Sequence, residues 1–328
     1  CIRDSVYLEG VSGYTVEDAG QVILVNCTNI LVENLNLSNT DKGVELWETS
    51  NTTIAGNNVA DGQGIYLSFS SNNSIVGNNV AANMGDGIHL HVSSNNSITG
   101  NIATDNGCGI LLYSSSNNSV SGNDLANNGC GVHLVGSSNN NSISGNNVTA
   151  NREYGIFLNT YSLNNSISGN NITDNSGDGV CLSWSSNNSI SGNNIANNRD
   201  GIRLDYSSNN SVSGNVFVSN GLYAWDSYGN VVVGNVVNGK PLVYLEGVSD
   251  VVVGDAGQVI LVNCARIRVE NLNLSNTCVG VQLWETSHTT ISGNSIASNR
   301  HGIFLFDSSN NSISGNTITN NMYGIRLY

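Results

Sequence analysis

The 328-residue chain predicts an all-β fold, a single-stranded parallel β-helix (β-solenoid) whose short strands wind into stacked coils. Three observations predict it: a repeat of ~22 residues, apolar–polar alternation in short runs, and no helical stripe of about ten residues or more. The nonapeptide SSNNSISGN stands at Ser185–Asn193 and again at Ser308–Asn316. Its Gly-Asn pair recurs at Gly56, Gly77, Gly100, Gly122, Gly145, Gly169, Gly192 and Gly214, then at Gly293 and Gly315. A second landmark, Gly-Ile, keeps the same beat at Gly64, Gly87, Gly109, Gly155, Gly201, Gly302 and Gly324. A period sustained at this length marks a solenoid or a related array.

Within one repeat, GIHLHV (Gly87–Val92) and SISGNNI (Ser189–Ile195) alternate apolar and other residues between Asn, Gly and Ser turns. Period two in such runs reads as strand. Three short strands per ~22 residues make one coil, and about 14–15 coils stacked at the ~4.8 Å strand spacing account for the chain. Ile88, Leu90, Ile98 and Ile102 are expected to point inward, with their equivalents forming Ile, Leu and Val ladders. Asn at matching turn positions is expected to stack amide on amide. Gly100 and Gly122 mark corners that a Cβ would obstruct.

Composition narrows the function. Hydrophobic residues make up 39% and charged residues 10%, with 24 Asp and Glu against 10 Lys and Arg and a formal charge of −14. Such a surface repels phosphate, which excludes nucleic acid as a partner. No run approaches the ~18 apolar residues of a membrane helix. No leader precedes the strand-like VYLEG, which reads as a mature form. Seven cysteines, together with Asn-x-Ser/Thr sequons at Asn51, Asn72, Asn95, Asn117, Asn187 and Asn310, point to an extracellular or cell-surface glycoprotein.

The stretch GQVILVNCTNILVENLNLSNT (Gly20–Thr40) recurs as GQVILVNCARIRVENLNLSNT (Gly257–Thr277). These modules and the simple repeats resemble the right-handed parallel β-helix repeats of the NosD-like, "carbohydrate-binding and sugar hydrolase" superfamily, common in archaeal cell-surface proteins. That resemblance covers nearly the whole chain. It implies a right-handed coil and a choice among copper-maturation proteins, polysaccharide-active enzymes and surface-layer or sheath proteins, and the repeat itself does not choose. VYLEGVS at Val6 and Val243 and LWETS at Leu46 and Leu283 align at the same offset, 237 positions from Cys27 to Cys264. The domain reading is one continuous solenoid over 1–328, with module copies at 6–67 and 243–305, simple coils at 68–220, and a variable coil and connection at 221–242. The chain starts about five residues before its first strand and stops after NNMYGIRLY, so the expected alternatives are head-to-tail stacking, a trimmed piece of a longer protein, or a short cap from Cys1 to Ser5.

The strand after the Gly-Ile landmark varies most. Its outward positions carry Trp47, Tyr66, Tyr113, Phe157, Trp284, Phe304, Phe306 and Tyr328, an aromatic strip suited to self-contact or to sugar rings. Asp86, Asp105, Asp124, Asp174, Asp178 and Asp200 sit mostly in turns, and Arg203 and Asp205 are expected to pair on one face. This scatter predicts no enzyme, since glycosidases and lyases on this scaffold need convergent carboxylates. His89, His91 and His133 are weak metal candidates, and neither metal nor cofactor is predicted. Cys108 and Cys130, each in NGCG, are predicted to form a rung-to-rung disulfide. Cys27 and Cys264 read as buried thiols, leaving Cys1, Cys181 and Cys278 for intermolecular pairing. The function expected from these features is a self-associating extracellular layer, sheath or filament. The alternative is a surface module that binds or cleaves carbohydrate, with cell-surface glycans as the partner; copper handling comes third.

Overall fold

The computed structural model describes residues 4–328, so Cys1 and the start of the expected cap lie outside the described residues. Those residues form strands and turns without helix, and none of them makes a helix long and apolar enough to cross a membrane. Each coil lays three strands on the coil before it. Ile88–His91 pairs in parallel with Ile65–Ser68 on one side and Cys108–Tyr113 on the other, Ile88 facing Ile65 and Ile110. Ser97–Thr99 and Ile102–Thr104 do the same in the second and third sheets. The first and second sheets each run through 11 strands.

Alternation puts every second side chain into a dry central column. Ile65, Ile88, Ile110, Val132 and Ile156 form one ladder, and Leu67, Leu90, Leu112, Leu134 and Leu158 another, all fully buried. Ile102 departs from expectation: it is 47% exposed, and Ala103 takes the inward place. The phase is set by the corner, because buried Asn101 precedes Ile102, which occupies the outward column of Asn79 and Asp124.

The buried asparagines hold the corners. The Asn101 amide donates to Ile75 O (2.9 Å) and to Asn123 Oδ1 (3.0 Å), while its own Oδ1 accepts from the backbone and side-chain nitrogens of Asn78. Each amide thus satisfies backbone groups that the corner removes from the sheets, and hands the pattern to the next coil. Gly100 and Gly122 act through positive φ (64° and 62°), with open space around a Cβ, and not through crowding. Gly109 is the crowded type: a Cβ there would lie 2.8 Å from Gly131 O and 3.1 Å from the Asn128 amide.

The sequence suggested one continuous column, whereas the column breaks before the second module copy. Asn238 and Gly239, at φ of 50° and 81°, turn the chain so that Lys240–Glu246 pairs antiparallel with Val236–Val237. From there a second, shorter stack grows through Gln258–Val262, Val279–Trp284, His301–Phe306 and Tyr323–Leu327, and its first sheet extends the third sheet of the long stack to 15 strands. One face of this sheet fills the short stack's own core with Val259, Leu261, Val281 and Leu283. The other face closes the open end of the long stack, where Leu242, Ile260, Val262 and Trp284 join its core.

Closing a stack means satisfying the last strand edge. Here two glutamine side chains do so. Gln258 accepts from Leu222 N (2.9 Å) and donates to Leu222 O (2.6 Å), and Gln282 bonds both backbone groups of Ala224. In the first module copy the position of Gln282 is Glu45, solvent-facing and paired with Lys42 at 2.6 Å. An amide supplies both donor and acceptor and survives full burial, whereas a carboxylate has no donor and strands a charge. Gln282→Glu is therefore expected to lower the unfolding free energy by roughly 2–4 kcal/mol and to open the junction to protease near 221–242. Urea denaturation and limited proteolysis check this. Asn101→Ala in the ladder should cost about 2–3 kcal/mol by the same denaturation measurement, while the exposed Asn95→Ala costs under about 1 kcal/mol.

Candidate functional site at the corner between the two stacks

The short stack overhangs the outer face of the first sheet and encloses a cleft of about 410 Å3 lined by Arg203, Asp205, Tyr206, Tyr223, Trp225, Arg300, His301, Phe304, Arg326 and Tyr328. Register places its parts. Arg203 follows Cys181 and precedes Tyr223 in one outward column, and Asp205 precedes Trp225 in the next. Arg203 bonds Asp205 at 2.7 Å, the pair expected from their spacing. Beneath them lies Asp200, with a fully buried carboxylate that holds Arg300 of the short stack by two 2.9 Å bonds and Arg203 at 3.5 Å. Arg203 also lies over the Tyr223 ring at 5.0 Å, and Arg326 over Tyr328 at 4.6 Å.

Burial raises the Asp200 carboxyl to about 6, helped by the charge of Asp178 and opposed by Arg300, Arg203 and Arg199. Burial, then the charges of Arg300, Arg326 and Arg203, depress His301 to about 4, so its imidazole is neutral near pH 7. Tyr223 is pushed up to about 12 by burial.

An aromatic platform leads into this cleft. Trp184 and Tyr206 stack with ring centroids 4.4 Å apart and planes 6° apart, and they are 49% and 41% exposed. Both occupy the turn that follows the first sheet, at φ of 51° and 48°, as does Phe69 in the same column five coils earlier in the stack. Bulky residues seldom take a left-handed backbone. Strand alternation does not identify them, and the sequence reading passed over all three, along with Arg300, which lies 100 positions from Asp200. Their signal was a large aromatic recurring at a turn position in register with the repeat.

The expected aromatic strip is broken. Trp47 (40% exposed) lies edge-on to Phe69, Tyr113 (43%) lies beside His91, and Phe157 stacks with His133 and Tyr154. Tyr66 lies under Lys42 and against His89, and Tyr328 stands at the mouth of the cleft. Trp284 and Phe304, however, are 4% and 1% exposed, and Phe306 stacks on Trp284 at 4.3 Å. These three belong to the junction, where Trp225 meets Trp284, because the short stack turned their face onto the long one.

His89 pairs with Asp86 at 3.2 Å, His91 meets Ser68, and His133 is separated from His89 by the rung of Leu111. Cys108 faces Cys130 in register, the juxtaposition expected from their spacing, with both side chains as thiols. The hydrogen bond between them raises the Cys108 thiol and lowers that of Cys130. Cys27 and Cys264 donate to Leu8 O and Leu245 O, as buried thiols. Cys181 and Cys278, assigned to intermolecular pairing, are 4% and 2% exposed and out of reach of a second molecule. Asn51, Asn72, Asn95, Asn117, Asn187 and Asn310 are exposed at positive φ, each just before the residue that enters the buried corner ladder. The turn and the ladder account for the recurring Asn-Asn-Ser. Glycans on consecutive rungs ~4.8 Å apart would collide.

Coils in register, a polar corner ladder and one variable outer face define a parallel β-helix protein that carries its site on the sheet surface. The chain belongs to the NosD family, described as periplasmic copper-binding protein, whose model matches residues 3–153, 109–224 and 218–328. No curated protein sequence matches it. Among solved structures, a double mutant of the periplasmic alginate epimerase AlgG is similar with a TM-score of 0.58 at 15% identity, over 95% of this chain and 83% of that one. The A-module of the Azotobacter vinelandii mannuronan C-5 epimerase AlgE6 gives 0.56 at 17% identity, over 96% and 90%. The Dettilon tailspike protein gives 0.52 at 16%, over 87% and 62%. At these identities the likeness is one of fold.

Copper requires convergent imidazole or sulfur donors. Among the described residues no group of three or more His, Cys, Asp or Glu side chains is placed to hold a metal ion, so the residues present do not fit a copper centre.

The perturbed pair at the corner makes a pH prediction. A carboxyl raised in the folded state contributes stability that is complete below its ordinary value of 3.8 and is lost as pH rises through about 6. His301 contributes in the opposite sense, its share being present above 6.5 and lost as pH falls through about 4. Asp200→Asn removes the first and leaves the second. The stability of the native protein relative to this variant is therefore expected to fall by roughly 1–3 kcal/mol between about pH 4 and 6.5, measured by urea denaturation.

Proposed function

We propose that the chain acts outside the cytoplasm as a carbohydrate-binding β-helix, with the sugar chain seated on the Trp184–Tyr206 platform and running into the corner cleft. The observation that carries this reading is the pair of exposed, parallel rings opening on a concave site with fixed polar groups. Flat apolar ring faces beside oriented hydrogen-bonding groups suit the alternating C–H and hydroxyl faces of a pyranose. The fold it shares with polysaccharide epimerases and a tailspike supports the same class of ligand, and the family's periplasmic description supports the location.

Self-association into a layer draws less support, because Trp284, Phe304 and Phe306 of the supposed contact strip line the junction. Cleavage by paired carboxylates needs two acidic groups about 5–10 Å apart across the bond. At the cleft one oxygen of Asp205 is held by Arg203 and the other is buried, while Asp200 lies sealed under Arg203 and Arg300. Binding is thus the activity the corner favours.

Calorimetric titration against a panel of oligosaccharides tests this. A dissociation constant of roughly 10 μM–1 mM is expected, weakened at least about tenfold by the double variant Trp184→Ala, Tyr206→Ala and unchanged by Trp47→Ala. The polymer should not shorten on chromatography. Absence of binding to every oligosaccharide, or filaments in electron micrographs that Trp47→Ala abolishes, would return the protein to the self-associating class.

A further inference from the structure

The arginines of the corner are not spread as the chain's other charges are. Five of its ten Lys and Arg residues line two neighbouring pockets: Arg203, Arg300 and Arg326 in the cleft, and Arg152 and Arg199 in a second hollow with Glu153, Tyr154, Ser176 and Gly177. Buried acid joins the two. Asp178 holds Arg199 by two bonds of 3.0 and 2.9 Å and accepts from Asp200 N at 3.2 Å, and Asp200 in turn holds Arg203 and Arg300. Both carboxylates are fully buried, whereas the guanidinium groups they orient keep 46%, 22% and 23% of their side chains exposed (Arg199, Arg203 and Arg300). Apart from the exposed Glu153 and from Asp205, which Arg203 holds, the charge turned to solvent around the two hollows is therefore guanidinium, set over hidden counter-charge, in a chain of net charge −14. At either end, Arg152 and Arg326 have no carboxylate partner among the described residues.

From this we infer that the ligand is an acidic polysaccharide whose carboxylates lie on a track running from Arg152 through Arg199 and Arg203 to Arg326, an inference that rests on the glycan-binding reading above. A planar guanidinium pre-oriented by a buried partner matches a carboxylate through two parallel bonds. A neutral sugar would use the aromatic platform alone and leave the two end arginines without a counter-ion.

The test titrates the full chain with hexagalacturonate (carboxylated), a heparin hexasaccharide (sulfated) and maltohexaose and cellohexaose (neutral). Hexagalacturonate is expected to bind at least about tenfold more tightly than either neutral sugar, and to weaken as salt is raised from 50 to about 300 mM. Arg152→Ala and Arg326→Ala should each weaken it by about three- to tenfold without changing the thermal midpoint, and Arg152→Ala, which lies outside the cleft, should leave the affinity for a neutral sugar unchanged. Equal affinity for neutral and uronic hexasaccharides overturns the acidic ligand and leaves glycan binding standing. Preference for the sulfated probe alone, or for an oligodeoxythymidylate of similar length, also overturns it. No binding of any sugar overturns both readings together.

Discussion

Each coil has to lie in register on the one before it, and the rest of the molecule follows from that. Parallel pairing carries the backbone across three flat strands, but the corners between them break the ladder. The buried asparagines repair it by bonding back and forward, so a coil with one residue too many in a strand would misplace an amide as well as a side chain. Length varies only in the turns, where the repeat ranges over a few residues without disturbing the ladders. Register also decides function. A residue's neighbours on the surface are its equivalents one coil away, so Cys181, Arg203 and Tyr223 form a column although each is about a repeat apart in sequence.

A stack built this way has an open end, and the end is where this protein makes its site. The duplicated module was reused as a lid. In the first copy its outer face meets solvent with Lys42 and Glu45; in the second the same face is seated on the last coil, with Gln282 in place of the glutamate and Val279 in place of the lysine. With Cys278 in place of Asp41, three changes from charged to neutral accompany the conversion of an exposed face into an interface. Because the lid is wider than the coil it covers, His301–Phe306 and Tyr323–Leu327 project beyond it and form the second wall of the cleft. The buried Asp200 ties the two walls together, and its elevated protonation range is the electrostatic cost of placing a carboxylate there.

How much of this was legible varies from residue to residue. The coil, the ladders, the Gly-Ile strand and the Arg203–Asp205 pair were readable because they depend on spacing along one or two coils. Ile102 is apolar yet faces outward, because buried Asn101 sets the phase of the strand and hydrophobicity alone does not. The reversal at Asn238-Gly239 carries a strong hairpin signal, but the regular coils before it favour continuation. Trp184 and Tyr206 escaped notice through their left-handed backbone, a conformation that polar residues and glycine usually take at such turns.

By itself the sequence determined the coil, its period and the inward ladders, because those are local consequences of alternation and turn chemistry repeated in step. Only the tertiary structure decided that the second module folds back as a lid. It alone brought Arg300 onto Asp200, hid Trp284 and Phe304, and left Trp184 and Tyr206 beside an arginine-lined cleft. The physical reason is that a repeat encodes contacts between one coil and the next, whereas the corner is made by surfaces of two stacks that share no register. Their meeting depends on one two-residue turn and on amides buried about forty to sixty positions from the strand they close.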